Sequence, residues 1–164
     1  MSIEVANESG APVDERALVA LARHVLDRMG IHPQAELSIA LVGVDAMSAL
    51  HEHWLGEPGP TDVLAFPMDE MRPPQDRSEP DPGLLGDVVL CPAVAATQAV
   101  EHRRTMEQEL DLLCTHGILH LLGYDHAEPE EKREMFGLQE TLLAEWRRPP
   151  PPPRLVPPLS GDAR

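Results

Sequence analysis

The sequence predicts an α+β fold: a single domain in which a small mixed β-sheet of about four strands is layered with helices. The first half of the chain alternates strand-like and helix-like runs, and the second half is helical after one further pair of strands. With 164 residues, 42% of them hydrophobic, the chain can bury one core. The domain is expected to span residues 1–148.

The first half predicts two strand–helix pairs. Residues 3–7 (IEVAN) alternate apolar and polar side chains, which is typical of a short strand. Apolar residues recur at helical spacing over about 14–29, and Gly30 is expected to end that helix. The apolar run 37–44 predicts a buried strand, and Asp45 is expected to cap the helix that follows.

A strand pair and three helices complete the predicted domain. Residues 62–66 (DVLAF) and 86–90 (GDVVL) predict strands, and the proline-rich, charged run 71–83 between them predicts a mobile surface loop. Each helix has a start signal: Pro92 for the first, a capping box for the second, and Pro129 for the third. The capping box is formed by Thr105 and Gln108.

The segment 149–164 opens with five prolines and has too few apolar residues to bury a core. It is therefore expected to be a disordered tail. Neither the tail nor the domain contains an apolar run close to the ~20 residues that cross a bilayer, so no membrane partner is predicted.

The overall charge argues against nucleic-acid binding when it is taken alone. Thirteen basic residues face 28 acidic ones, a formal net charge of −15, and such a surface repels phosphates. No DNA partner is predicted. The two cysteines make no disulfide framework, which favours a cytoplasmic location.

The run HGILHLLGYDH (116–126) predicts a metal site on a helix in the C-terminal half. His116 and His120 are four residues apart, so their rings share one helix face. Gly123 permits the turn that can return His126 to the same face. Three neutral histidines hold zinc and leave a fourth position for water, which is the catalytic arrangement. We expect one Zn²⁺ per chain; the alternative is three solvated or core histidines.

One protease class, the metzincins, shares this histidine spacing in the pattern H-E-x-x-H-x-x-G-x-x-H. There, a glutamate after the first histidine is the general base. Gly117 stands at that position here and has no side chain that could take a proton. The sequence therefore disfavours peptide hydrolysis, although a zinc metallopeptidase-like hydrolase stays open as an alternative.

The histidine run, together with TDVLAFP (61–67) and LGDVVLC (85–91), resembles the YbeY family of bacterial endoribonucleases. The resemblance extends from the first strand to about Trp146. It implies that His116, His120 and His126 hold zinc, and that the protein cleaves RNA in maturation of small-subunit rRNA and in ribosome quality control. Its implied partners are ribosomal RNA and ribosomal particles or assembly proteins. A non-catalytic, zinc-braced ribosome-assembly factor is a further alternative.

The chain departs from the family pattern before the TDVLAFP block. Members commonly carry asparagine and, four residues later, an arginine linked to activity, where this chain has His51 and Leu55. Leucine cannot contact a phosphate, so two interpretations stay open: the activity is weak, or another arginine, such as Arg72, substitutes. Arg103 and Arg104 follow a predicted helix; they are expected to complement its dipole, and a phosphate contact is the second interpretation.

The general base is left unknown by the sequence, with three candidate carboxylates. Asp62 and Asp87 lie at predicted strand ends, where they could orient a ligand histidine or act as base. The favoured alternative is that both accept hydrogen bonds from backbone amides in turns. Asp125 lies beside His126, where it could support a ligand or simply belong to the turn.

Overall fold

The computed structural model describes residues 2–31, 34–68 and 84–146. These ranges contain four strands and five helices. In chain order they are β1 (Ser2–Asn7), α1 (Glu15–Arg28), β2 (Glu36–Leu41), α2 (Val44–Leu55), β3 (Val63–Pro67), β4 (Leu84–Leu90), α3 (Pro92–His102), α4 (Met106–Leu121) and α5 (Pro129–Glu145). No helix in these ranges is long and apolar enough to cross a membrane.

The strands form one mixed sheet in the order β1-β2-β4-β3. β1, β2 and β4 run parallel, with Val5 opposite Ile39 and Ile39 opposite Val88. β3 lies antiparallel to β4 at the edge, where Ala65 is opposite Val88. The prediction of a single α+β domain with a small mixed sheet of about four strands is confirmed.

The two faces of the sheet pack against different helices because side chains alternate along each strand. Val88 and Leu90 point into the main core, which they share with α1, α4 and α5. Val89 points to the other face, where Met47 of α2 closes a smaller cluster with Leu64. α2 therefore covers one side of the sheet, and the helix that carries the histidine run lies on the other side.

The N-termini of the helices test the capping residues that the sequence predicts. Asp14 accepts a hydrogen bond from the Ala17 amide at 3.1 Å, and Thr105 and Gln108 form the predicted capping box. The prediction for Asp45 is wrong: Gly43 is the N-cap of α2, with no side-chain cap. β2 ends at Leu41 rather than at residue 44, so the helix begins before Asp45, whose charge lies in its first turn. The predicted loop 71–83 and tail 149–164 lie outside the described residues.

α4 is the helix on which the other elements converge, since it packs against β3, β4, α1, α3 and α5. At Gly117, α4 lies directly against the sheet. A Cβ atom there would lie 2.8 Å from Cγ1 of Val88 and 3.2 Å from Cγ2 of Val63. The position that holds the general base in metzincins is therefore filled by the sheet in this protein, and a side chain has no room there.

Candidate metal centre and cleft

The three histidines of the predicted metal site lie together at the C-terminal end of α4. His116 and His120 are one helical turn apart, and both are partly buried. Gly123 follows the helix with φ +98° and donates its amide to the His120 carbonyl at 3.0 Å. This turn reverses the chain and brings the exposed His126 back to the two helical rings.

The distances between the rings fit a single metal ion. Nε2 of His116 and Nε2 of His120 are 3.1 Å apart, and the ring of His126 lies 5.4 Å and 5.3 Å from theirs, centroid to centroid. One nitrogen from each ring can be chosen so that all three lie within 4.8 Å of one another. Tetrahedral zinc with bonds of about 2.0–2.1 Å holds its nitrogens roughly 3.3 Å apart, so the helical pair already has this spacing. The cluster could hold a metal ion.

A hydrogen bond orients the His116 ring with Nε2 towards the cluster. Oε1 of Gln139, on α5, lies 3.0 Å from Nδ1 of His116. A carbonyl oxygen can only accept, so Nδ1 carries the hydrogen and Nε2 keeps its lone pair. His120 makes a backbone hydrogen bond with Tyr124. Such supports fix the tautomer and orientation of metal-binding histidines.

Gln139 was not among the predicted site residues, although the sequence holds a signal for it. The side chain is only 8% exposed and lies on the side of α5 that buries Met135 and Leu142. A glutamine on the apolar side of a helix needs a buried partner, because an unpaired buried amide is costly. The sequence does not show that the partner is His116, since the two residues meet only when α4 and α5 pack together.

The electrostatics of the cluster favour uncharged rings at the two helical positions, His116 and His120. Burial lowers the pKa of His116, and repulsion from His120 and His126 lowers it further, whereas the hydrogen bond to Gln139 and the charge of Asp62 raise it. Burial and His126 likewise lower the pKa of His120, against Asp125 and the Tyr124 backbone. Both helical histidines are therefore neutral at pH 7, which is the form that binds metals.

A cleft of about 1050 Å³ opens beside the cluster, and His116 and His126 form part of its wall. Asp62 lines the same cleft. Its Oδ1 accepts a hydrogen bond from the Val63 amide at 2.8 Å, and its Oδ2 accepts one from Gln98 Nε2 at 3.2 Å. The carboxylate is thus held in place on the cleft wall, between the start of β3 and α3.

The other two candidate carboxylates lie elsewhere. Asp87 is exposed on β4 and borders a separate small depression with Ser2 and Glu36. Asp125 is exposed and accepts a hydrogen bond from the His126 amide at 2.7 Å, so it stabilises the turn that carries His126. Of the three, only Asp62 shares the cleft with the histidines.

The residues at the two positions that depart from the YbeY pattern are outside the wall of this cleft. Nδ1 of His51 lies 2.9 Å from the Gly59 carbonyl and so supports the loop that leads to β3. Leu55 ends α2 with 56% of its surface exposed. Arg72, the substitute considered for the missing arginine, lies outside the described residues.

Fold and site together define an α+β protein with a three-histidine centre, able to hold one metal ion, beside a large cleft. The family model described as endoribonuclease YbeY matches residues 3–147. This chain therefore belongs to the YbeY endoribonuclease family, as its motifs indicated.

Individual relatives agree with this assignment over nearly their whole length. The chain is 63% identical over 148 residues to endoribonuclease YbeY of Thermobifida fusca, covering 90% of this chain and 96% of the relative. It is 64% identical over 143 residues to the protein of the same name from Beutenbergia cavernae, covering 87% and 95%. The solution structure of TM1509 from Thermotoga maritima is similar, with a TM-score of 0.59, 29% identity and 87% of each chain covered.

Proposed function

We propose that this protein is a zinc-dependent endoribonuclease that hydrolyses RNA phosphodiesters in maturation of small-subunit rRNA and in ribosome quality control. The observation that carries the proposal is the three-histidine cluster on the wall of a cleft of about 1050 Å³, in a chain of the YbeY family. The name of the relatives, endoribonuclease, indicates the reaction, and the histidine cluster beside the cleft is our candidate site for it.

The donor set supports zinc as the metal. Three neutral imidazoles are a common catalytic ligand set for zinc and leave one position open. Cys114 is no fourth ligand, because the side chain is fully buried and burial raises the pKa of its thiol to about 12. When bound, zinc would supply a water of lowered pKa and a positive charge for a phosphodiester oxygen.

Asp62 is our candidate for the carboxylate that accepts or guides a proton in the cleft. It is held by the Val63 amide and Gln98, so its position is fixed before substrate binds. Asp62→Asn keeps the shape and removes the charge, and is expected to lower kcat at least about tenfold, within the usual range for acid–base groups. Asp87→Asn is the matched control and should leave kcat unchanged.

Ribosomal particles or assembly proteins are the proposed partners, and the cytoplasm the proposed location. The net charge of −15 repels free RNA, so a protein partner on the particle would supply affinity that the enzyme's own surface lacks. We therefore expect slow cleavage of free RNA and faster cleavage when the RNA is presented on ribosomal particles.

Metal analysis and an RNA-cleavage assay together test the proposal. Purified protein should carry about one zinc per chain, and His120→Ala less than about 0.2, since it removes one of three ligands. His53→Ala, which changes an exposed histidine outside the cluster, is the matched control. Cleavage should stop with a chelator and return with zinc.

Three results would overturn parts of this proposal. Unchanged zinc content in His120→Ala would remove the metal site. Cleavage of peptides and not of RNA by the zinc-loaded protein would favour the peptidase alternative. Binding of ribosomal particles that persists in folded His120→Ala, with no cleavage by the wild type, would indicate a non-catalytic assembly factor.

A further inference from the structure

We propose that Arg103 is the residue that binds a phosphate of the RNA strand in the cleft. The inference rests on the proposed endoribonuclease function and assigns its substrate contact to a residue outside the family's motifs quoted above. Three observations carry it: the position of Arg103 on the cleft wall, the absence of a competing partner among the described residues, and its backbone conformation.

Arg103 lies at the C-terminal end of α3 and lines the same cleft as His116 and His126. Leu55, which stands where the family commonly has an arginine, does not line it. In a chain with 28 acidic and 13 basic residues, a cation on this wall is the kind of local charge that an acidic protein needs to hold RNA.

The neighbouring arginine, Arg104, already forms an ion pair within the protein. Nη1 of Arg104 lies 3.4 Å from Oε1 of Glu109, a carboxylate that is 1% exposed. Nδ1 of His102 lies 3.2 Å from both oxygens of the same carboxylate. Arg104 therefore compensates a buried negative charge, which would be costly to leave unpaired.

The guanidinium of Arg103, by contrast, is exposed and has no ion-pair or hydrogen-bond partner among the described residues. A guanidinium that is not held by the protein can offer its paired N–H donors to a phosphate, a match that arginine makes better than lysine.

The backbone of Arg103 is in the left-handed region, with φ 58° and ψ 45°. Among the described residues it is the one residue other than glycine with a positive φ. Glycine adopts this conformation at no steric cost, whereas a residue with a Cβ adopts it at an energetic penalty. Glycine would adopt this backbone conformation at a lower steric cost. The presence of arginine therefore points to a role for its side chain.

A dipole role is the competing explanation, because a cation near a helix C-terminus is stabilising. The two roles differ in what they change. A residue that only complements the dipole affects the melting temperature and leaves RNA affinity unchanged. A phosphate contact affects RNA affinity and its dependence on salt.

Arg103→Gly separates these roles because it removes the guanidinium and also removes the steric penalty of the left-handed backbone. We would measure the Kd of the zinc-loaded full-length protein for a fluorescent single-stranded oligoribonucleotide across a salt series. Arg103→Gly is expected to weaken binding about tenfold at low salt and to reduce the slope of log Kd against log salt by about 0.7, the value for one phosphate on a single strand. Arg103→Lys should keep the slope and lose part of the affinity.

The controls fix the interpretation. Arg23→Ala removes an exposed arginine of α1 that does not line the cleft, and its Kd and slope should equal those of the wild type. The melting temperature of Arg103→Gly should equal or exceed that of the wild type. In cleavage assays Arg103→Gly should raise KM and leave kcat unchanged, as for a contact equally strong in ground and transition states.

The outcomes for this inference and for the proposed function are distinguishable. If the wild type cleaves RNA and Arg103→Gly binds with unchanged Kd and slope, the inference is overturned and the function stands. If Arg103→Gly only lowers the melting temperature, Arg103 serves the helix. If RNA binding depends on Arg103 but no RNA is cleaved, the nuclease function fails and the inference stands. If the wild type does not bind the free oligoribonucleotide, the inference is overturned, and the proposed function is decided by whether RNA presented on ribosomal particles is cleaved.

Discussion

Replacing Gln139 by leucine is expected to weaken metal binding at the three-histidine centre about 10- to 100-fold, the usual cost of losing a group that supports a metal-binding histidine. In the wild type, Oε1 of Gln139 accepts the Nδ1 hydrogen of His116 at 3.0 Å, which turns Nε2 towards the cluster. Leucine cannot accept this hydrogen bond. The His116 ring is then free to rotate or to change its tautomer.

The magnitude follows from the burial of the contact. Gln139 is 8% exposed, so water replaces its oxygen poorly, and leaving the Nδ1 hydrogen unpaired costs about 1–3 kcal/mol. With about 1.4 kcal/mol for each factor of ten, this corresponds to about 5- to 140-fold, which brackets the 10- to 100-fold range. Leucine suits the apolar side of α5, beside the buried Met135 and Leu142, so the variant should fold.

The zinc Kd of Gln139→Leu would be measured by competition with a chelator. The rise in melting temperature on adding zinc gives a second measurement, because a ligand stabilises in proportion to the logarithm of its concentration over Kd. Gln139→Glu keeps an acceptor and should bind zinc at least as tightly as the wild type. A wild-type Kd in Gln139→Leu would show that His116 is oriented by something else and that our account of this hydrogen bond is wrong.

Three further predictions concern packing, pH and the end of α2. Gly117→Ala should lower the free energy of unfolding by about 1–3 kcal/mol, because its Cβ would lie 2.8 Å from a buried valine methyl. Gly137→Ala, with nothing within 4 Å of the new Cβ, should raise it by up to about 1 kcal/mol; thermal melts of both variants test this pair. In metal-free protein, His116 and His120 have pKa values below 6.5, so the unfolded chain binds protons first. Their contribution to stability should therefore be complete above about pH 6.5 and lost as the pH falls below it, and a melting temperature equal at about pH 5.5 and 7.5 would contradict this. Leu55→Arg should fold normally, since Leu55 is 56% exposed, and should raise RNA cleavage up to about tenfold if a guanidinium there steadies a phosphate; unchanged cleavage would show that this chain does not use the position.

Features that depend on neighbours in sequence were predictable, and features that depend on packing were less so. The capping box of α4 joins Thr105 to Gln108, three residues away, and the sequence predicts it correctly. The order β1-β2-β4-β3 places β4 between β2 and β3, which depends on long-range pairing that no local pattern contains. The residue type of Asp45 suits an N-cap, but β2 ends at Leu41, and Gly43 is the N-cap of α2.

The candidate site divides in the same way. His116, His120 and Gly123 lie within eight positions on one helix and its end, so helical periodicity predicts that the rings meet. The contact between His116 and Gln139 spans 23 positions, and the one between Asp62 and Gln98 spans 36. The first contact depends on how α4 packs against α5. The second depends on how α3 lies against the residue that precedes β3. The sequence therefore predicts the cluster, and Asp62 as a candidate, but not the contacts with Gln139 and Gln98 that hold His116 and Asp62 in position.

The close packing at Gly117 places the first histidine of the cluster on a helix that lies directly on the sheet. α4 lies so close to the sheet at Gly117 that an added Cβ would meet Val88 and Val63 at 2.8 Å and 3.2 Å, next to the residue that carries the first histidine ring. The neighbouring backbone faces the core on one side and presents the histidines to the cleft on the other. A metal centre needs ligands held close to their bonding positions, and a helix packed directly on a sheet provides this better than a loop does. The same packing leaves no room for a side-chain base at position 117, whereas Asp62, the carboxylate that we propose for proton transfer, lies on the wall of the cleft.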